Sequence, residues 1–167
     1  ITVDTLIPTL RITTSDDLVI DGESATISFT FSETVAGFEL ADAIVVGGSL
    51  GALTANSENS VYTSTFTPQE NATLVPSIEV AAGDYTDVAG NEGTAGISPS
   101  IRIDTESPTV AIITSVSALK VAGVATISFT FSEAVADFTL SDTTASGGAL
   151  SALTANGDNS VYTATFT

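Results

Sequence analysis

Residues 24–32 alternate without a break, with Ala25, Ile27, Phe29 and Phe31 on one side and Ser24, Thr26, Ser28, Thr30 and Ser32 on the other. A period of two sends successive side chains to opposite faces, so this stretch predicts a half-buried strand. The same period runs through Tyr62, Ser64 and Phe66, through Leu74, Pro76, Ile78 and Val80, and through Ile97, Pro99, Ile101 and Ile103. Turn-forming stretches separate these runs: Asp21-Gly22, Gly47-Gly48 and residues 56–59, 68–71 and 83–93. No window carries a 3.6-residue period, and Thr, Val and Ile fill the apolar stretches, which argues against helix.

The pattern predicts seven strands, at roughly 8–13, 24–32, 36–41, 44–53, 59–67, 73–81 and 94–103. Seven short alternating strands in about 100 residues pack as two sheets face to face, so the expected fold is all-β, an immunoglobulin-like antiparallel β-sandwich. Pro76 and Pro99 each lack a ladder donor and are expected at an edge or a bulge. With no Cys pair and no Trp, apolar packing must hold the sheets together. Phe29, Phe31 and Phe66 are the expected anchors, each contributing roughly 1.5 to 3 kcal/mol if fully buried.

The chain also repeats itself at a spacing of about 100 residues. Asp4-Thr5 falls on Asp104-Thr105, ATISFTFSE from Ala25 on the same nine residues from Ala125, LTAN from Leu53 on LTAN from Leu153, and NSVYT from Asn59 on NSVYT from Asn159. About 37 of the 64 aligned positions are identical, too dense a match for chance at one fixed period. The sandwich is therefore expected in tandem: a complete unit over 1–102 and a partial one over 103–167, lacking counterparts of residues 68–102. The junction at 101–109 has one proline and no glycine or serine tract, which argues against a floppy tether.

Composition narrows the chemistry. Cys and His are absent, which removes thiol and imidazole catalysis, N/S-ligated zinc and disulfides. With 20 acidic residues against 3 basic ones the net charge is −17. Arg11, Arg102 and Lys120 form no run able to track phosphates, so nucleic acid is not an expected partner. An acidic surface favours solubility, mutual repulsion and hard divalent cations. No run of 18 apolar residues is present, so no membrane insertion is expected in this segment. The chain opens in repeat sequence without a leader, and the expectation is a piece excised from a longer protein.

Several residues together carry a resemblance: Val3-Asp4-Thr5 with Pro8-Thr9, the strand ending Phe29-Thr30-Phe31-Ser32-Glu33, the GFELAD stretch from Gly37, Gly47-Gly48, VYTSTFT from Val61, and the loop YTDVAGN from Tyr85. These are similar to the bacterial immunoglobulin-like repeats of giant surface adhesins, including biofilm-associated proteins of the Bap type. The resemblance covers the whole chain. It implies an extended stalk that carries a binding domain away from a cell, many members being stiffened by calcium, and it implies a secreted or cell-surface location.

Sandwich topology gathers the entry to the first strand, the loop after the second and the loop between the last two at one end of the domain. Those places hold Asp4, Glu33, and Asp87 with Asn91. Calcium takes six to eight oxygen ligands, so three acids, an Asn and some backbone could fill most of a site. Asp104 and Glu133 hold the corresponding places in the second unit, where a cation at the junction is expected to bridge the units. Asp16, Asp17 and Asp42 are expected at the opposite pole. For Asp87 and Asn91 an Asx turn is the competing account, and the resemblance favours calcium.

Three function classes compete: a structural stalk module, a ligand-binding module recognising a glycan or protein receptor, and an enzyme. Against the second stand the absence of Trp and the presence of only three tyrosines, Tyr62, Tyr85 and Tyr162. Against the third stands the spending of most acids on exposed faces and loops, although paired carboxylates can cleave glycosides. The chain is expected not to be an enzyme. Its expected partners are neighbouring repeats and, through open strand edges, another copy.

Overall fold

The computed structural model describes residues 3–167, which divide into two compact units, one reaching to Glu106 and the other spanning 107–167. In the first, the alternating runs form the strands β1 (Leu10–Thr14), β3 (Ala25–Phe31) and β8 (Val61–Pro68), with β2 (Leu18–Ile20) following β1. Between β3 and β8 lie β4 (Val35–Ala36), β5 (Ala43–Val46), β6 (Gly48–Leu50) and β7 (Thr54–Ala55). After β8 come β9 (Thr73–Leu74), β10 (Ser77–Val80), β11 (Thr86–Asp87), β12 (Gly96–Ile97) and β13 (Arg102–Asp104).

One layer is the sheet β1-β3-β8-β6, with β7 also on β8. Its register sets Ile12 opposite Phe29 and Ala25 opposite Phe66. The other layer is built from β12-β10-β5, β2-β13-β9 and β11-β4. Inward side chains of both layers meet in one core, where Ile12, Ile27, Phe29 and Phe66 pack with Val19, Ile78, Val80 and Ile103. The three expected anchors Phe29, Phe31 and Phe66 are all buried in it. Phe31, Phe38, Tyr62 and Tyr85 add an aromatic cluster with ring centroids 4.6 to 6.4 Å apart.

The alternation overestimates strand length in the second layer. Residues 36–41 are not a strand: Asp42 turns back to accept the Glu39 amide at 2.6 Å and closes a 3-10 turn over Leu40–Asp42. The expected strand 44–53 divides at Gly47, whose φ of +83 a β-branched residue would not adopt. Pro76 and Pro99 lie outside strands and split the expected runs 73–81 and 94–103, because a residue without N–H cannot extend a ladder. Beyond Pro99, Ile101 and Ile103 point inward, while Ile97 is exposed. Among the described residues of this unit one pairing, β13 with β2, is parallel; the other strand pairs are antiparallel.

The second unit consists of β14 (Val110–Thr114), β15 (Ala125–Phe131), β16 (Thr154–Ala155) and β17 (Val161–Phe166), in the order β14-β15-β17-β16. Its register copies the first: Ile112 faces Phe129 and Ala125 faces Phe166. Local hydrogen bonds recur too. The Thr9 amide donates to Ser32 Oγ at 2.9 Å, as Thr109 does to Ser132. Asn56 Oδ1 accepts from the amides of Ser60 and Val61, as Asn156 does from Ser160 and Val161.

Candidate metal centre

The pairing of β11 with β4 sets Asp87 opposite Val35, so the turn just before Val35 carries Glu33 up beside the end of β11. The run that enters β1 is fastened alongside. Ser32 donates its amide to the Thr9 carbonyl at 3.0 Å, and Thr94 donates its own to the Pro8 carbonyl at 3.0 Å. Tyr85, 1% exposed, closes the corner: its hydroxyl donates to the Thr94 carbonyl at 2.8 Å and lies 3.3 Å from that of Pro8. With the entry run held, Asp4 joins the other two acids. Carboxylate oxygens of Asp4, Glu33 and Asp87 all lie within 4.8 Å of one another.

Asn91 shapes the fourth side. Its amide donates to Asp87 Oδ1 at 2.8 Å and its side-chain nitrogen to Asp87 Oδ2 at 2.7 Å. The same Nδ2 also reaches the Asp4 carbonyl at 3.3 Å. The loop closes on itself, since the Asp87 amide donates to the Asn91 carbonyl at 3.1 Å and the Gly90 amide to the Asp87 carbonyl at 3.2 Å. Gly90, at φ +93, permits that bend. The Asx-type turn is therefore present together with the acid group, and Asn91 meets that group through its nitrogen rather than its oxygen.

These contacts divide the electrostatics unequally. Hydrogen bonds from Asn91 hold the buried Asp87 carboxyl below its ordinary range, against the opposing effect of burial. Glu33 is pushed above its own by loss of water and by the charges of Asp4 and Asp87. Repulsion within the group thus falls on Glu33, and a cation among the three would relieve it. All three donors are hard oxygens, the set that Ca²⁺ prefers over softer metals, and each carboxylate oxygen has two lone pairs, so Asp87 can accept from Asn91 and still face an ion.

The other expected site residues lie elsewhere. Asp104 ends β13, with its Oδ1 3.4 Å from Thr73 Oγ1, which also lies 3.4 Å from Glu106 Oε2. Glu133 follows β15 in the second unit, and neither residue is in the acid group found among the described residues. Asp42 is spent on its turn, while the Asp17 carbonyl accepts the Arg102 amide at 2.8 Å. Sequence reasoning missed Tyr85; its signal was an aromatic two positions before the loop Asp, in a stretch otherwise read as turn.

A family model described as a bacterial Ig-like domain matches residues 4–103 and, a second time, residues 104–167. Among solved structures, the chain is similar to the Yersinia pseudotuberculosis adhesin InvE at 16% identity and a TM-score of 0.39, covering 96% of this chain and 51% of that one. It is also similar to Yersinia pseudotuberculosis InvD at 19% identity and a TM-score of 0.36, covering 94% of this chain and 48% of that one. The chain spans about half the length of these two structures. No curated protein matches it.

Proposed function

The chain belongs to the bacterial immunoglobulin-like domain family along both of its repeats, and from that premise we propose that it is a structural spacer of a large secreted or cell-surface adhesin, rigidified by calcium and serving attachment or biofilm formation. The observation that carries the calcium part is the meeting of Asp4, Glu33 and Asp87 within 4.8 Å. Ligation there ties the entry run, the turn after β3 and the β11 loop into one rigid end. Repetition supports the spacer part: a unit copied in tandem supplies length and spacing. A glycan-binding reading finds little support, because Tyr62, Tyr85 and Tyr162 are all buried and offer no exposed platform for a sugar.

Two measurements test the proposal. Extracellular calcium modules often bind in the 0.1 to 1 mM range, so calcium at about ten times the dissociation constant adds roughly 1.4 kcal/mol. The melting temperature rises to match and Asp87→Ala abolishes the rise; equal melting in calcium and in chelator, with no heat of binding, refutes the metal site. For the spacer, a parent protein in which this region is exchanged for unrelated sandwich domains of equal length retains adhesion. Loss of adhesion in a well-displayed exchange would show recognition by the repeats themselves.

A further inference from the structure

The two outer faces of the first unit differ in character. On the first layer Thr13, Ser28 and Thr63 stand in a row across β1, β3 and β8, and Thr26 stands opposite Thr65. That is the polar outer face an antiparallel sheet ordinarily turns to water. The second layer departs from it. There Ile44, Glu79 and Ile97 stand side by side across β5, β10 and β12, and Val46 stands opposite Ser77. Lower in the layer Leu18 lies opposite Arg102 and Ile20 opposite Asp104, while Val75 occupies the link between β9 and β10. Their neighbours Val19, Ile78, Val80 and Ile103 point into the core, so these side chains point out. Leu18, Ile20, Ile44, Val46, Val75 and Ile97 are 40 to 65% exposed.

A second observation comes from the repeat. The two copies share most of their aligned residues, yet Leu18, Ile20, Ile44 and Val46 fall on Ala118, Lys120, Thr144 and Ser146. The inward positions among them stay apolar, Val19 falling on Leu119 and Val45 on Ala145. Large outward apolar residues are therefore no requirement of the repeat; they are a property of the first unit. Six of them on one sheet face form a patch of the kind that marks a contact site.

We propose that this face is an interface between copies of the chain, which pair sheet on sheet about a two-fold axis. Charge decides the occupant. A chain of net charge −17 repels its own copies over most of its surface. Here the charged outward residues are Glu79, Asp104 and Arg102, two acids and one of the chain's three cations, so repulsion is least where the apolar patch lies. A cationic partner of another sequence would be drawn instead to the acid-rich loops. A two-fold contact sets the same patch against itself, so Arg102 meets the partner's Glu79 twice over, with aliphatic side chains packed around each pair. Three strands about 4.8 Å apart, over roughly eight residues of rise, give on the order of 400 Å² per copy. That area is below the standard size of a stable interface and belongs to weak, reversible pairing. Nothing here depends on the metal group.

The test is sedimentation equilibrium of the whole 1–167 chain from about 10 µM to 1 mM, the range suited to a contact of this size, with NMR shifts followed over the same range. Reversible dimerisation is expected, with concentration-dependent shifts at residues 18–20, 44–46, 75–79 and 97. Ile44→Thr with Val46→Ser installs side chains that the second repeat already carries at these positions, and weakens the dimer at least about tenfold. Arg102→Glu weakens it too, and adding Glu79→Arg to that chain restores it, the signature of one charge pair crossing a two-fold axis. A chain that stays monomeric at the highest concentration overturns the proposal and leaves the face to a partner of another sequence. A dimer untouched by Ile44→Thr with Val46→Ser overturns it equally, as do shifts confined to the second unit or a double charge exchange that restores nothing.

Discussion

Because the two units repeat the same sheet in one register, a single substitution can be made twice, once under cover and once not. Phe66→Ala removes a side chain with 0% exposure from a closed core, a change that costs about 3 to 5 kcal/mol once transfer and cavity contributions are added. Phe166→Ala removes the same atoms from a ring that is only half-buried and lines an open groove. About half of the transfer contribution remains, and water can fill the space left behind, so the loss falls to roughly 1 to 2 kcal/mol. With a urea slope near 2 kcal/mol/M, the midpoint of the first unit drops by about 1.5 to 2.5 M and that of the second by less than about 1 M. Residue-resolved NMR through a urea titration reads the two transitions separately. Equal losses at the two positions would mean that the second core is closed after all.

Two further predictions concern the acid group and the loop beside it. A Cβ at Gly93 would sit 2.1 Å from the Tyr85 ring, whereas one at Gly90 meets nothing within 4 Å and bears only the cost of φ +93. In thermal melts Gly93→Ala should therefore destabilise by about 1 to 3 kcal/mol, more than Gly90→Ala at about 1 kcal/mol, and the reverse order would refute the packing account. The pH dependence has a definite sign without calcium. Glu33 binds its proton more tightly in the folded chain than in the unfolded one, so its contribution is most favourable at low pH and is lost as pH rises from 4.5 through its raised value. Glu33→Gln removes that loss, and its melting advantage over the parent in chelator should widen across that window; a gap that stays constant with pH would count against it.

The strands with uniform burial along their length were plain in the sequence. Residues 25–31 and 61–67 cross the middle of a sheet, so every second side chain meets the same core and the period of two survives. The second layer is assembled from two- to four-residue pieces, where each break is set by one local event. Asp42 capturing its turn is such an event, and neither it nor the parallel β2–β13 pair leaves a periodic trace. For the site, the meeting of Asp4, Glu33 and Asp87 followed from topology alone. The orientation of Asn91 did not, because an Asn in a turn offers both a donor and an acceptor, and its use depends on contacts to Asp87 that spacing does not specify. Tyr85 was invisible for a related reason: its importance lies in a hydroxyl bridging two carbonyls nine and 77 positions away.

The shared register of β1-β3-β8 and β14-β15-β17 implies an order of events in time. A sheet that takes its pairing from its own residues has no need to wait for those that follow, so a unit emerging from its N-terminal end can lay down β1, β3 and β8 before residue 69 is available. The stretch 69–104 then arrives on a finished template and folds against it. Its contacts should form late, with φ-values near zero at Ile78 and Ile103 and higher ones at Phe29 and Ile27. Each closing step would then be a short search on a prepared surface.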